Sequence, residues 1–125
     1  MSRASEALQE AHLLLENEHV EAAANRTYYA VFYAASALLE AQGIQAGRHS
    51  ALIRLFGREF VSTGLMARRH GRTLSALFEQ RQDADYVPAP TVAQERASVD
   101  LEEARVFVLD ARELLMAELD ERGSG

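Results

Sequence analysis

Apolar residues recur every three to four positions through most of the chain, and no segment alternates apolar and polar over the length of a strand. The first such stretch starts at Ser2 or Ser5, either able to cap a helix, and runs to about Glu16 with Leu8, Ala11 and Leu15 on its stripe. Asn17 reads as the cap of a second helix spanning about Glu18 to Ala41 and stopped by Gly43. After a short loop over Gln45 to Gly47, a third helix opens near His49-Ser50, with Ser50 as its cap. It shows Leu52, Ile53, Phe56 and Phe60 at helical spacing and ends at Gly64. A fourth begins near Leu65 and carries Leu74, Leu77 and Phe78, with Gly71 as a weak point inside it. Asp85 to Pro90 breaks the pattern, because neither Pro88 nor Pro90 suits a helix interior. Thr91-Val92-Ala93-Gln94 is a capping-box sequence, and beyond it Ala97, Leu101, Ala104, Val108, Ala111 and Leu115 form a bundle-type seam. The pattern predicts an all-α, up-and-down bundle of four main helices plus one short helix. Residues 1–121 are expected to form a single domain and 122–125 a flexible tail.

One stretch departs from the ordinary two-faced helix. In Asn25 to Leu39, Tyr28, Val31, Phe32, Ala35, Leu38 and Leu39 share one face, which reads as core. The opposite face holds Arg26, Tyr29, Ala30, Tyr33 and Ala37: aromatic and small side chains with a single charge. Such a face is expected to be at least half buried, and an arginine there needs a carboxylate from another helix or a bound anion.

Composition removes several chemistries. There is no cysteine and no lysine, all thirteen basic residues being arginine, so thiolate chemistry, Schiff-base lysines and a P-loop are excluded. The amino-terminal Met-Ser-Arg-Ala-Ser-Glu lacks a signal-peptide apolar core, no apolar run approaches the roughly 20 residues of a membrane span, and a cytoplasmic setting is expected. The net charge of −6 is uneven: residues 1–47 balance at −4, 48–81 at +5 and 82–125 at −7. The basic island is either a local nucleic-acid surface or the charge partner of the acidic last helix, and the second is the simpler reading.

Candidate sites follow. Glu16-Asn17-Glu18-His19 matches one half of a di-iron Glu-x-x-His pair, but no second copy exists and no metal site is expected. No Gly-x-Ser-x-Gly elbow is present. Arg68-Arg69-His70-Gly71-Arg72 is the densest basic cluster and could fork onto phosphates, or simply be a solvated helix face. Arg81 and Asp85 stand four apart as a helical ion pair, with Tyr86 covering the helix end.

Asn25-Arg26-Thr27-Tyr28-Tyr29-Ala30-Val31-Phe32-Tyr33-Ala34-Ala35 resembles the signature helix of HEPN domains (higher eukaryotes and prokaryotes nucleotide-binding), and most of all the small stand-alone prokaryotic group. Gly47-Arg48-His49-Ser50 followed by Phe56 and Phe60, Gly64-Leu65, and Arg81 to Tyr86 extend the resemblance over roughly residues 4–115. It implies a helical bundle that forms a homodimer, with the arginine helix at or near the interface. Many such proteins are metal-independent RNases, several of them toxins beside a minimal nucleotidyltransferase from a neighbouring gene; no cofactor is implied. Arg26 matches the family's arginine, whereas Tyr33 stands where a histidine is expected after six intervening residues. A phenol with an ordinary pKa near 10 is a poor general base.

The expected function is therefore binding of RNA or a nucleotide at the Arg26 face. Asn25, Arg26, Tyr29, Tyr33, His49, Arg68, Arg69 and Arg72 are the candidate contacts, and Arg26 and Tyr33 hold the catalytic positions. Two alternatives stand beside it. One is an active metal-independent RNase toxin that takes its histidine, His49 or His70, from elsewhere. The other is a non-catalytic interaction module in which Arg26 pairs with a carboxylate.

Overall fold

The structure, a computed structural model, describes residues 1–82 and 90–124. The Asp85 to Pro88 break, the Arg81–Asp85 pair and the Tyr86 plug lie outside the described residues. The described chain is all α-helix and turns, with no strand: α1 (Ser2–Glu16), α2 (Val20–Ala41), α3 (His49–Phe56), α4 (Arg68–Gln82) and α5 (Pro90–Ser124). α5, the longest, extends about 50 Å at helical rise and its helix continues through residues 122–124, expected as tail.

α1 and α2 form a tight hairpin for a sequence reason. Ala4, Ala7 and Ala11 on α1 are buried, as are Ala23, Ala30 and Ala34 on α2, so two alanine-lined helices meet. α5 packs across both through Ala97, Leu101, Ala104, Val108 and Ala111, all buried. The seam read from the sequence is thus the one used, with Leu115 half-buried at its end. Phe107 joins it from one turn over. Its ring stacks on Phe56 at 5.3 Å between centroids, and Phe56 on Phe60 at 5.7 Å, so α3 is fastened to α5 by aromatic contact.

Three local expectations are corrected. Asn17 does not open α2; it closes α1, its side-chain amide donating to the Leu13 carbonyl at 2.8 Å. Its neighbour Glu18 takes the left-handed conformation at φ +63°, and the amides of Glu18 and His19 bond back to the carbonyls of Leu15 and Leu14. This Schellman turn separates the helices, so Glu16 and His19 never share a helix face. Nor does Ser50 cap α3. The cap is the extended backbone of Arg48, which makes His49 the first residue of the helix. Finally, α3 does not continue regularly to Gly64 but widens into a π-helical turn over Gly57–Val61, with Ser62 N–H bonded to Gly57 O. Gly71 explains how that turn fits: a β-carbon there would lie 3.3 Å from a Val61 methyl, so α4 passes close over it. Gln94 Nε2 also ties the start of α5 to α1, donating to the Leu15 carbonyl at 3.2 Å; the Thr91 side chain of the expected capping box lies outside the described residues.

Candidate functional site

α2 carries a strip of aromatic rings on adjacent turns, Tyr28 and Tyr29, then Phe32 and Tyr33. Tyr28 is buried and the other three are half-buried. Neighbouring rings along the strip meet at 5.4 to 6.1 Å between centroids.

Two residues distant in sequence close over this strip. The short connection after Gly43 turns the chain back so that the start of α3 crosses α2 at its middle. His49 lies 4.3 Å from Phe32 between ring centroids, and its Nδ1 is 2.6 Å from the Tyr28 hydroxyl. From the last turn of α4 comes Arg81. Its guanidinium lies 5.2 Å from the Tyr28 ring centre and 4.9 Å from that of Tyr29, and its Nη1 is 3.3 Å from His49 Nδ1. Burial, and then the positive charge of Arg81, hold the His49 pKa below the ordinary imidazole value. The imidazole is therefore neutral at pH 7. Burial raises the Tyr28 phenol above its ordinary value, with Arg81 partly opposing it.

Arg26 approaches from the other side of the sequence. Its guanidinium lies 4.9 Å from the Tyr29 ring centre and takes a hydrogen bond partner in Asn25 Oδ1, 3.0 Å from Nη2. A carboxylate is present as well, Glu10 of α1, at 3.8 Å from Nη1. The arginine is not buried, however: its side chain keeps 29% of its exposure, and Glu10 keeps 53%. Arg3 of α1 covers Tyr33 at 5.4 Å. Tyr33 does not meet Arg26 in any described contact. Tyr29 stands between them, its ring 5.6 Å from that of Tyr33.

The structure thus gathers Asn25, Arg26, Tyr29, Tyr33 and His49 on one surface, and adds Arg81 and Tyr28. Since Arg26 and Arg81 both sit 4.9 Å from the centre of Tyr29, the two guanidinium carbons are less than about 10 Å apart. Arginine forks at this spacing suit phosphate oxygens, and half-exposed tyrosine rings suit stacking of unpaired bases. In the sequence Arg81 reads as the ion-pair partner of Asp85 and as part of the HEPN resemblance, not as a member of this surface.

Arg68, Arg69 and Arg72 are placed elsewhere. All three are exposed at the start of α4, nine or more residues before Arg81, which is about 13 Å or more along the helix. Arg69 lies 3.8 Å from Asp110 of α5, and Arg69 and Arg72 line a shallow cleft with Glu102 and Glu103. This part of the basic island faces the acidic last helix. His70 is buried beneath it, Nε2 2.7 Å from Asp110 Oδ2 and its ring 5.2 Å from Phe107. It ties α4 to α5 and does not reach the Arg26 surface.

Among the described residues no group of three histidine or carboxylate side chains is arranged to hold a metal, and no helix is long and apolar enough to cross a membrane. Comparison with known proteins returns a family model described as the HEPN domain, matching residues 1–121. A UPF0332 protein of Thermotoga maritima is 41% identical over 117 residues, 94% of this chain and 88% of the relative. A protein of Methanocaldococcus jannaschii named as a candidate toxin is 34% identical over 105 residues, 84% of this chain and 78% of the relative. A UPF0332 protein of Gloeobacter violaceus is 32% identical over 116 residues, 92% of each chain.

Proposed function

Since the chain belongs to the HEPN domain family, we propose that it is a toxin-like HEPN protein that binds RNA, or a nucleotide, through the surface built from Arg26, Arg81, Tyr29, Tyr33 and His49. The observation that carries this reading is the convergence of Arg26 and Arg81 on the ring of Tyr29. Two cations less than about 10 Å apart repel each other, and an anion that both can reach relieves that repulsion. The toxin-like setting is supported by the name of the Methanocaldococcus relative. Partnership with a second copy of the chain, and with a nucleotidyltransferase from a neighbouring gene, belongs to the same proposal; light scattering on the pure protein is expected to give twice 13.8 kDa.

The test is titration of a labelled single-stranded RNA oligonucleotide, followed by fluorescence anisotropy, against the wild type and Arg26→Ala. The proposal expects the variant to lose binding by about tenfold or more, the worth of one charge-assisted contact, with an unchanged helical circular-dichroism spectrum. Equal affinities would remove the Arg26 surface from the account.

A second reading, metal-independent RNA cleavage, draws on one observation: a neutral imidazole, His49, lies on the same surface as both arginines. Cleavage of this kind has a base remove the 2′-hydroxyl proton. The oxygen then attacks the adjacent phosphorus, and the 5′-oxygen leaves with a proton. It predicts cyclic-phosphate ends on RNA incubated with the protein and a chelator, and RNA that stays intact under those conditions counts against it.

A further inference from the structure

The contacts around His49 decide which of its ring nitrogens carries the proton. Nδ1 has two neighbours, the Tyr28 hydroxyl at 2.6 Å and Arg81 Nη1 at 3.3 Å. A guanidinium can only donate, so a proton on Nδ1 would be aimed at another donor. The phenol can either donate or accept, and burial helps it to keep its hydrogen. Arg81 also hydrogen-bonds the phenol, its guanidinium donating to the phenol oxygen, which leaves the phenol proton free to point at Nδ1. The arrangement that serves all three groups has Nδ1 offering its lone pair, with Tyr28 the nearer donor. In a neutral ring the single proton is then on Nε2. Among the described residues Nε2 has no hydrogen-bond partner, so it is the nitrogen left for a ligand.

We infer that Tyr28 and Arg81 lock His49 as the Nε2–H tautomer, which makes His49 a hydrogen-bond donor to a phosphate oxygen and not a base. The ligand part of this inference rests on the phosphate-binding reading above; the tautomer is a property of the free protein. In this state the surface presents donors: the forks of Arg26 and Arg81 and the Nε2–H of His49. It has no free imidazole lone pair, since the one on Nδ1 is already engaged. A phosphodiester is recognised by such a set, whereas removing a 2′-hydroxyl proton needs an acceptor that the set lacks. Tyr28 is thus a positioning residue, acting on the ligand through His49. It also gives a physical reason why a tyrosine one residue before Tyr29 is buried with its hydroxyl turned towards α3.

The inference is tested by long-range proton–nitrogen correlation spectra of the full chain at a mildly alkaline pH. The His49 ring signals are identified by their loss in His49→Gln. The expected spectrum shows a protonated Nε2 and an unprotonated Nδ1 that accepts hydrogen bonds, and Tyr28→Phe is expected to move it towards a mixture of tautomers. A wild-type ring protonated on Nδ1, or a tautomer indifferent to Tyr28→Phe, would overturn the lock. Single-stranded RNA is then added to the wild type. Movement of the Nε2 signal supports the donor role, and RNA that binds by anisotropy while leaving Nε2 unmoved overturns that role and spares the binding surface. RNA that does not bind at all overturns the function proposed above and spares the tautomer. In the same binding assay His49→Gln, which keeps an N–H donor, retains affinity within about threefold, and His49→Ala loses about tenfold.

Discussion

Arg26 is tied to the protein by contacts that add little stability. Its carboxylate partner Glu10 is 3.8 Å away and more than half exposed, and Asn25 is its immediate neighbour in sequence. An exposed pair of this kind is worth about 0–1 kcal/mol, and the cation–π contact with Tyr29 about 0.5–1 kcal/mol. Arg26→Ala is therefore expected to lower unfolding free energy by no more than about 2 kcal/mol in urea titration. Such a small cost beside a large loss of RNA binding separates a ligand-facing arginine from a structural one. His49 makes a different kind of prediction. Its folded pKa lies below the unfolded value near 6.5. Above that value neither state binds the proton and the full stability is present; as pH falls, the unfolded chain is protonated first and stability is lost down through the folded pKa. Thermal melts from pH 8 down to 5 should show this decline, and His49→Gln should show a shallower one.

At the scale of elements, two helix ends use the same Schellman turn with different residues at the left-handed position. α2 ends on Gly43 at φ +77°, with Gly43 and Ile44 amides bonded to the Glu40 and Leu39 carbonyls; α1 ends on Glu18 at φ +63°. A side chain in this conformation costs about 1 kcal/mol. Nothing lies within 4 Å of a β-carbon built on Gly43, so that cost is purely one of backbone conformation. Glu18→Gly is expected to stabilise the protein by about 0.5–1 kcal/mol and Gly43→Ala to destabilise it by about 1 kcal/mol, both read from denaturant midpoints. The Gly43 stop was legible because glycine marks such turns, whereas Glu18 gives no such sign, which is why Asn17 reads as the start of α2 and not as the end of α1. The helices and the α5 seam were legible from spacing alone, because burial on one side leaves a 3.6-residue rhythm. The π-helical turn was not, since the widening depends on how α4 passes over Val61 at Gly71. The site was half legible. Arg26, Tyr29 and Tyr33 share one helix face and could be read together, but His49 and Arg81 reach it only through the path of the chain between α2 and α4.

For the molecule as a whole, the arginines of α4 separate onto two surfaces. Arg69 and Arg72 stand at the α5 side, where Asp110, Glu102 and Glu103 are at hand, while Arg81 joins Arg26 over the tyrosines. A chain of net charge −6 repels nucleic acid in general, so binding has to come from local contacts. If two phosphates are engaged by Arg26 and Arg81, the logarithm of affinity should fall with the logarithm of salt at a slope of about −1.4, and Arg81→Ala should reduce that slope by about 0.7. The most direct test of the account compares the two surfaces in one assay: anisotropy titration of a single-stranded RNA against the wild type, the double variant Arg26→Ala with Arg81→Ala, and the triple variant Arg68→Ala, Arg69→Ala and Arg72→Ala. The account predicts that the double variant loses at least about tenfold in affinity while the triple variant binds as the wild type does. Loss of binding in the triple variant with the double variant unaffected would contradict it.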